Sequence, residues 1–279
     1  MKSRQYGWLW VLLALYAAAR PAQRFTGSIP TAIVIALHVL PPLVFCLLHG
    51  AIVYRWPGIL TFIFLCVAIG NLFENLSIRT GFPFGRYHFT DVMGPKIFAV
   101  PILLGLAYVG MGYISWTVAR VILGDAGESL AGWRLLTRPV VASFLMVAWD
   151  LSQEAVWSNL VDGWRWHDGG AFYGVPLSNF LGWYLTVFLI YLSFALIVRP
   201  NGVTSSDTAL WKTSILFYGV SAIGNLLVPG PPGVTTVTDT AGTVWPVSGI
   251  LGTSALVSIL VMGAFTLLAW VRLLDRNLK

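Results

Sequence analysis

Charge is what this sequence has least of. Of its 279 residues only 10% are Asp, Glu, Lys or Arg, against 57% hydrophobic, and the mean hydropathy is +0.78. A soluble domain carries about a quarter charged residues, so a water-borne globule is excluded. Cysteine is nearly absent: Cys46 and Cys66 both fall in apolar runs and read as small buried hydrophobes, which argues against disulfide or thiol chemistry. The four histidines, His38, His49, His88 and His167, are scattered. A membrane di-iron oxygenase needs more of them, in tight clusters. No Asp-rich pair of motifs offers Mg²⁺-diphosphate binding, and there is neither a phosphate-cradling glycine loop nor a Gly-x-Ser-x-Gly element.

What is present is a series of long apolar runs. Spans are expected near 6–20, 30–54, 58–75, 97–122, 138–160, 175–198, 209–228 and 247–271, close to the ~20 residues that cross ~30 Å of hydrocarbon. The fold class is therefore an all-α integral membrane protein of about eight transmembrane helices, residues 1–279 forming one polytopic domain. Pro41 and Pro42 are expected to kink the second span. The first span has no evident small-residue cleavage site before Arg20 and Pro21, and reads as a span and not as a signal peptide.

The net charge of +6 bears on topology and not on nucleic acid. On one side lie Lys2, Arg4, Arg55, Arg120, Arg134, Arg138, Arg199, Lys212, Arg272, Arg276 and Lys279, eleven in all; the other holds six, Arg20, Arg24, Arg79, Arg86, Lys96 and Arg165. Basic residues collect in the cytoplasm, which places both termini there, in a cell (inner) membrane. The even-numbered spans each begin near a proline, Pro30, Pro101, Pro176 and Pro246, at spacings of 71, 75 and 70 residues. Two of these share a local pattern, Phe98-Ala99-Val100-Pro101 and Tyr173-Gly174-Val175-Pro176, so four helical hairpins in parallel repetition are an expectation.

The non-cytoplasmic loops 76–96 and 161–174 are rich in glycine, aromatics and charge. Trp164 and Trp166 fit an aromatic belt; the clustering of ionisable groups on that side needs another reason. Asp150 and Glu154, at i and i+4, share one face of the fifth span, and Glu74 ends the third span on the same side. A charge at such depth costs roughly 2.5–3.5 kcal/mol on insertion scales. Neighbouring carboxyls in a low dielectric cannot both ionise cheaply, so at least one is expected to stay protonated near neutral pH, as a general acid must. Polar glue between helices, with Asn71, Asn159 or Ser152 as partners, explains the spacing equally well. His38 and His49 read as bundle residues, whereas His88, inside the charged loop, is a candidate.

The stretch Glu74…Thr80-Gly81-Phe82-Pro83-Phe84-Gly85-Arg86-Tyr87, then Phe98-Ala99-Val100-Pro101, Asp150, Trp164-Arg165-Trp166 and the run GVPLSNFLGW from Gly174 to Trp183 resembles the CruF-type carotenoid hydratases over roughly residues 60–200. The last run is the most specific. The resemblance implies a cofactor-free addition of water to the terminal 1,2 double bond of a linear carotenoid, lycopene-like or a fifty-carbon analogue, entering from the bilayer. In that family the acidic helix reads Asp-Leu-x-x-Asp-Pro; here Glu154 and Ala155 stand at the last two positions.

Hydrating an alkene requires protonation to a tertiary cation and capture by water. Asp150 is the expected acid, with Glu154 setting its proton affinity or taking the returned proton, and Glu74 nearby. Trp149, Trp157, Trp166, Tyr173 and Trp183 are candidates to stabilise the cation through their ring faces. Arg86, Tyr87, His88 and Asn179 are candidates to position water or substrate, though Arg86 and Arg165 could instead pair structurally with Glu74 or Asp162. A proton-initiated cyclase or isomerase, and a non-enzymatic carotenoid-binding or transport protein, remain alternatives at this point.

Overall fold

The computed structural model describes residues 6–25, 28–124, 132–198 and 208–277. Lys2, Arg4, Arg199 and Lys279, counted above for topology, lie outside them. Helices follow the apolar runs: α1 (Gly7–Ala19), α2 (Thr31–Thr80), α3 (Ile102–Ile122), α4 (Arg134–Asn159), α5 (Leu177–Ile197), α6 (Thr208–Asn225) and α7 (Val247–Val257), continued through a π turn (Ser258–Met262) into α8 (Gly263–Asn277). Among the described residues, five helical stretches are long and apolar enough to cross a membrane: Thr31–Thr80, Ile102–Ile122, Arg134–Asn159, Leu177–Ile197 and Val247–Asp275. The chain is thus an all-α protein of membrane-spanning composition; α1 and α6 fall outside that set.

The break in α2 falls between the spans expected at 30–54 and 58–75 and not at Pro41–Pro42. Those prolines lie within helical backbone, and the one non-helical residue is Arg55 (φ 59, ψ 169). Pro57 has no N–H to continue the hydrogen-bond ladder and is tolerated in the first turn of a helix, so the first arm ends and a new one starts just before it. The chain turns back on itself: a Cβ at Gly50 would strike the Ile59 side chain, although nine residues of straight helix would separate them by about 13 Å. α3 lies against both arms. Its Gly110 meets Pro42 and its Tyr113 hydroxyl meets His49 Nδ1 at 2.7 Å on the first arm; Gly70 approaches Tyr108 on the second. The second arm continues to Thr80, beyond the expected end at 75, so Glu74 lies a turn and a half inside the helix and not at its end. Cys46 and Cys66 are free and buried.

The four prolines do one job in one geometry. Pro30, Pro101, Pro176 and Pro246 are the N-caps of α2, α3, α5 and α7, with φ between −53 and −72 and ψ between 132 and 143. The two similar motifs also make the same turn. Phe98 and Tyr173 both take positive φ (55 and 51), and Ile97 bridges Val100 as Phe172 bridges Val175.

Three short ribbons cap the end of the bundle where α2 finishes and α5 begins. β1 (Tyr87–Phe89) pairs antiparallel with β4 (Trp164–Trp166), Tyr87 opposite Trp166 and Phe89 opposite Trp164. β2 (Lys96–Ile97) pairs with β3 (Val100–Pro101), and β5 (Thr236–Thr238) with β6 (Val244–Pro246).

Candidate functional site

The two glycine-rich motifs are packing partners. Gly81 ends α2 in the left-handed region (φ 83), its N–H donating to Ser77 O at 2.7 Å, a conformation glycine adopts without strain. The Ser77 hydroxyl then accepts from Phe84 N (3.1 Å) and donates to Gly85 O (2.9 Å), folding the loop back over the helix end. α5 closes on that loop. A Cβ at Gly182 would lie 2.7 Å from the Phe84 ring and 2.9 Å from the Pro83 carbonyl carbon, and the Ser178 hydroxyl donates to Phe84 O at 2.9 Å. The result aims Tyr87 into the bundle.

Period-two alternation does the rest. In the β1–β4 ribbon Tyr87, Phe89, Trp164 and Trp166 are buried while His88 and Arg165 are exposed, as adjacent residues of a strand must face opposite sides. The ribbon is a lid with an aromatic inner face and a charged outer one.

Beneath it lie three buried carboxyls, Glu74, Asp150 and Glu154, at 3%, 3% and 2% exposure. Each meets neutral donors only. Glu74 Oε1 accepts from the Tyr108 hydroxyl at 2.6 Å and Oε2 from the Tyr87 hydroxyl. Glu154 Oε1 accepts from both the Trp164 (2.7 Å) and Trp166 (2.9 Å) indole N–H groups. Asp150 Oδ2 accepts from the Asn179 amide at 3.3 Å. No Lys, Arg or His pairs with any of them among the described residues. Glu74 and Glu154 border one small cavity of about 20 Å³, together with Asn179, Trp183, Trp166 and Leu104, the room that a single water occupies. Asp150 lies behind Asn179, within coulombic range of both glutamates.

The structure thus brings together Glu74, Tyr87, Glu154, Trp166, Asn179 and Trp183, with Asp150 one contact away. Three other candidates lie elsewhere. Arg86 is on the outer face in an ion pair with Asp168, Nε to Oδ2 at 2.8 Å, with its side chain 64% exposed. Its pairing with Glu74 is excluded by the lid between them. His88 also points outward, its Nδ1 2.7 Å from His167 Nε2. Tyr173 turns to α7, where its hydroxyl donates to Gly249 O at 3.0 Å and meets Thr253 Oγ1 at 2.6 Å. Arg165 does pair with Asp162, through two 2.7 Å contacts. The Arg165 and Arg86 hydrogen bonds hold Asp162 and Asp168 below the ordinary carboxylate range. Burial, then the His167 charge, pushes the His88 imidazole below its usual value.

The polar-glue partners expected from sequence do not reach the carboxyls: Asn71 donates to Val67 O, Asn159 to Ala155 O and Tyr173 O, and Ser152 to Trp149 O. Tyr108 and Trp164, which do, were not among the expected site residues. Tyr108 carried a signal, a hydroxyl in an apolar run, but nothing in the sequence says which carboxyl it meets.

A second, larger space adjoins. An apolar groove of about 60 Å³ runs between α1, the first arm of α2, α3 and α4, and is lined by Val39, Ala107, Met111, Trp149 and Trp157. It shares Leu104 and Trp164 with the carboxyl cavity.

No curated protein and no solved structure matches the chain. A family model described as carotenoid biosynthesis protein matches residues 27–229, a stretch holding α2 through α6, all three carboxyls and every donor to them. These membrane-spanning helices with carboxyls buried under an aromatic lid belong to a member of the carotenoid biosynthesis protein family.

Proposed function

We propose that the protein is a carotenoid 1,2-hydratase, adding water across the terminal double bond of an acyclic carotenoid without a cofactor. One observation carries the reading: Glu74 and Glu154 border a cavity sized for one water, with Asp150 joined to it through Asn179. Three carboxyls enclosed with only neutral donors cannot all be ionised, so the cluster retains a proton.

The hydrogen-bond pattern divides the roles. Both oxygens of Glu74 accept from tyrosine hydroxyls, so neither is left open to carry hydrogen while those bonds hold. Asp150 Oδ1 and Glu154 Oε2 have no donor among the described residues, which leaves an oxygen on each to carry hydrogen. Asp150 and Glu154 are the acid pair and Glu74 the base. The acid O–H gives its hydrogen to C2 of the alkene, and the electron pair of the double bond forms the new C–H bond. The tertiary cation left at C1 lies among the rings of Tyr87, Trp166 and Trp183, whose faces stabilise it. Water oxygen bonds to C1 and its surplus proton passes to Glu74. The apolar groove admits the polyene end sideways from the bilayer.

The test is product mass in a host that makes linear carotenoids. The expected product gains one water per reacted end. Asp150→Asn and Glu154→Gln should each lower turnover by about 10²-fold or more, the usual share of a positioned acid; normal turnover in both overturns the reading. A product of unchanged mass marks a cyclase or isomerase, and unaltered bound pigment a carrier.

The same reading extends to topology. The chain is one membrane domain crossing a cell membrane eight times, α2 contributing two crossings and α1 and α6 one each, with both termini cytoplasmic. The shared N-cap geometry of the four prolines supports four hairpins in parallel repetition.

A further inference from the structure

Three spaces meet at one side chain. Beyond the groove and the carboxyl cavity, a polar vestibule of about 350 Å³ lies on the lid side, with Asn159, Arg165, Asp239 and Thr240 in its lining. Its rim is wet: the Arg165 and Asp162 side chains keep 55% and 44% exposure. Trp166 borders the vestibule and the carboxyl cavity. Trp164 alone borders all three, groove included.

Trp164 is held firmly in that position. Its ring lies parallel to Trp157, with centroids 6.2 Å apart and planes 5° apart, and Phe89 packs edge-on to it at 6.0 Å. Its N–H is fixed on Glu154 at 2.7 Å. Thr90, just past β1, ties down the approach to β4 by donating to Asp162 O at 2.6 Å, and Thr240 donates to Trp166 O from the β5–β6 ribbon.

We infer that Trp164 is the specificity-determining partition of the site, separating the polyene in the groove from bulk water in the vestibule so that water meets the cation singly. The consequence for the product rests on the hydratase reading; the partition itself does not. A cation exposed to open water can lose a proton to it as well as capture it, so a breached wall gives a mixture of hydrated and isomerised products. The inner cavity's volume admits one water, and the Trp164 indole, beside Trp166, keeps it from joining a space many times larger.

The experiment compares Trp164→Ala, which opens the wall, with Trp164→Phe, which keeps the ring and removes the N–H. The full-length protein in membranes is treated with a water-soluble carbodiimide and an amine, and modification of Glu154 is read by peptide mass. Expected is a several-fold rise in Trp164→Ala over wild type, with Trp164→Phe close to wild type. Equal modification of wild type and Trp164→Ala overturns the partition, as does a rise in Trp164→Phe as large as in Trp164→Ala. Should the alanine variant not be recovered as folded protein, Trp164→Leu carries the same comparison. In the linear-carotenoid host, Trp164→Ala should also raise the share of products lacking the mass of water. If the modification behaves as expected but wild type never yields a hydrated product, the hydratase reading fails and the partition stands.

Discussion

Glu74 is the carboxyl whose donors can be removed one at a time without disturbing shape. Tyr87→Phe and Tyr108→Phe each delete one hydroxyl from it while keeping the ring, which in Tyr108 stacks on Trp183 at 4.3 Å. Losing a donor to a charged acceptor costs about 1–3 kcal/mol. Each variant should therefore slow turnover by the corresponding factor while leaving the protein folded, and the double variant should slow it further. Turnover assays beside a thermal midpoint in detergent check this. A tyrosine hydroxyl without a role in the base would leave the rate unchanged.

At the scale of helices, the close approaches fix the bundle. A Cβ at Gly110 would lie 2.8 Å from Pro42 Cβ and 2.9 Å from Leu43 N, backbone that cannot rotate away. Gly110→Ala should therefore push α3 off the first arm of α2 and destabilise the protein by about 1–3 kcal/mol, as overpacking does. Gly252, in α7, has nothing within 4 Å of its notional Cβ; Gly252→Ala should be neutral or slightly stabilising, since alanine gives up less freedom in a helix. A fall in the thermal midpoint for the first and none for the second is the expected pair.

The lid has its own pH dependence. His88 is held below its usual value by burial and by His167. The unfolded lid therefore binds more protons than the folded one near the ordinary histidine pKa of about 6.5, so this stability is present above that pH and lost as pH falls through it. Asp162 and Asp168 are held low by their arginines, so their contribution is lost only in stronger acid, below about pH 4. Amide exchange in β1 and β4, corrected for intrinsic rates, should rise first as pH drops past 6.5. In His88→Asn that first step should vanish while the acid step remains.

At the scale of the whole molecule, the proposed crossings place the lid and the start of α4 on opposite faces of the membrane. Single cysteines at Arg86 and at Arg134 should react with an impermeant maleimide from opposite sides. The native thiols give little background, Cys46 and Cys66 being 0% and 2% exposed. Labelling of both from the same side would remove the eight-crossing topology while leaving the carboxyl cluster intact.

Much of this was written in the chain order. Long apolar runs dictate helices in a membrane because hydrocarbon offers no partner to an unpaired backbone group. Their ends were legible where a proline caps the next helix, at Pro101 and Pro176, and less so at Glu74, whose helix runs on to Thr80 because Gly81 supplies the stop. The spacing of Asp150 and Glu154 put two carboxyls on one face. The tertiary fold decided what surrounds them. Strand alternation turned His88 and Arg86 outward and Trp164 inward, and the reversal at Arg55 brought Glu74 within reach of the Tyr108 hydroxyl. Local sequence sets which elements form; which donors meet a carboxyl depends on pairings between residues far apart in the chain, such as Tyr108 with Glu74 or Asn179 with Asp150, and packing alone creates those.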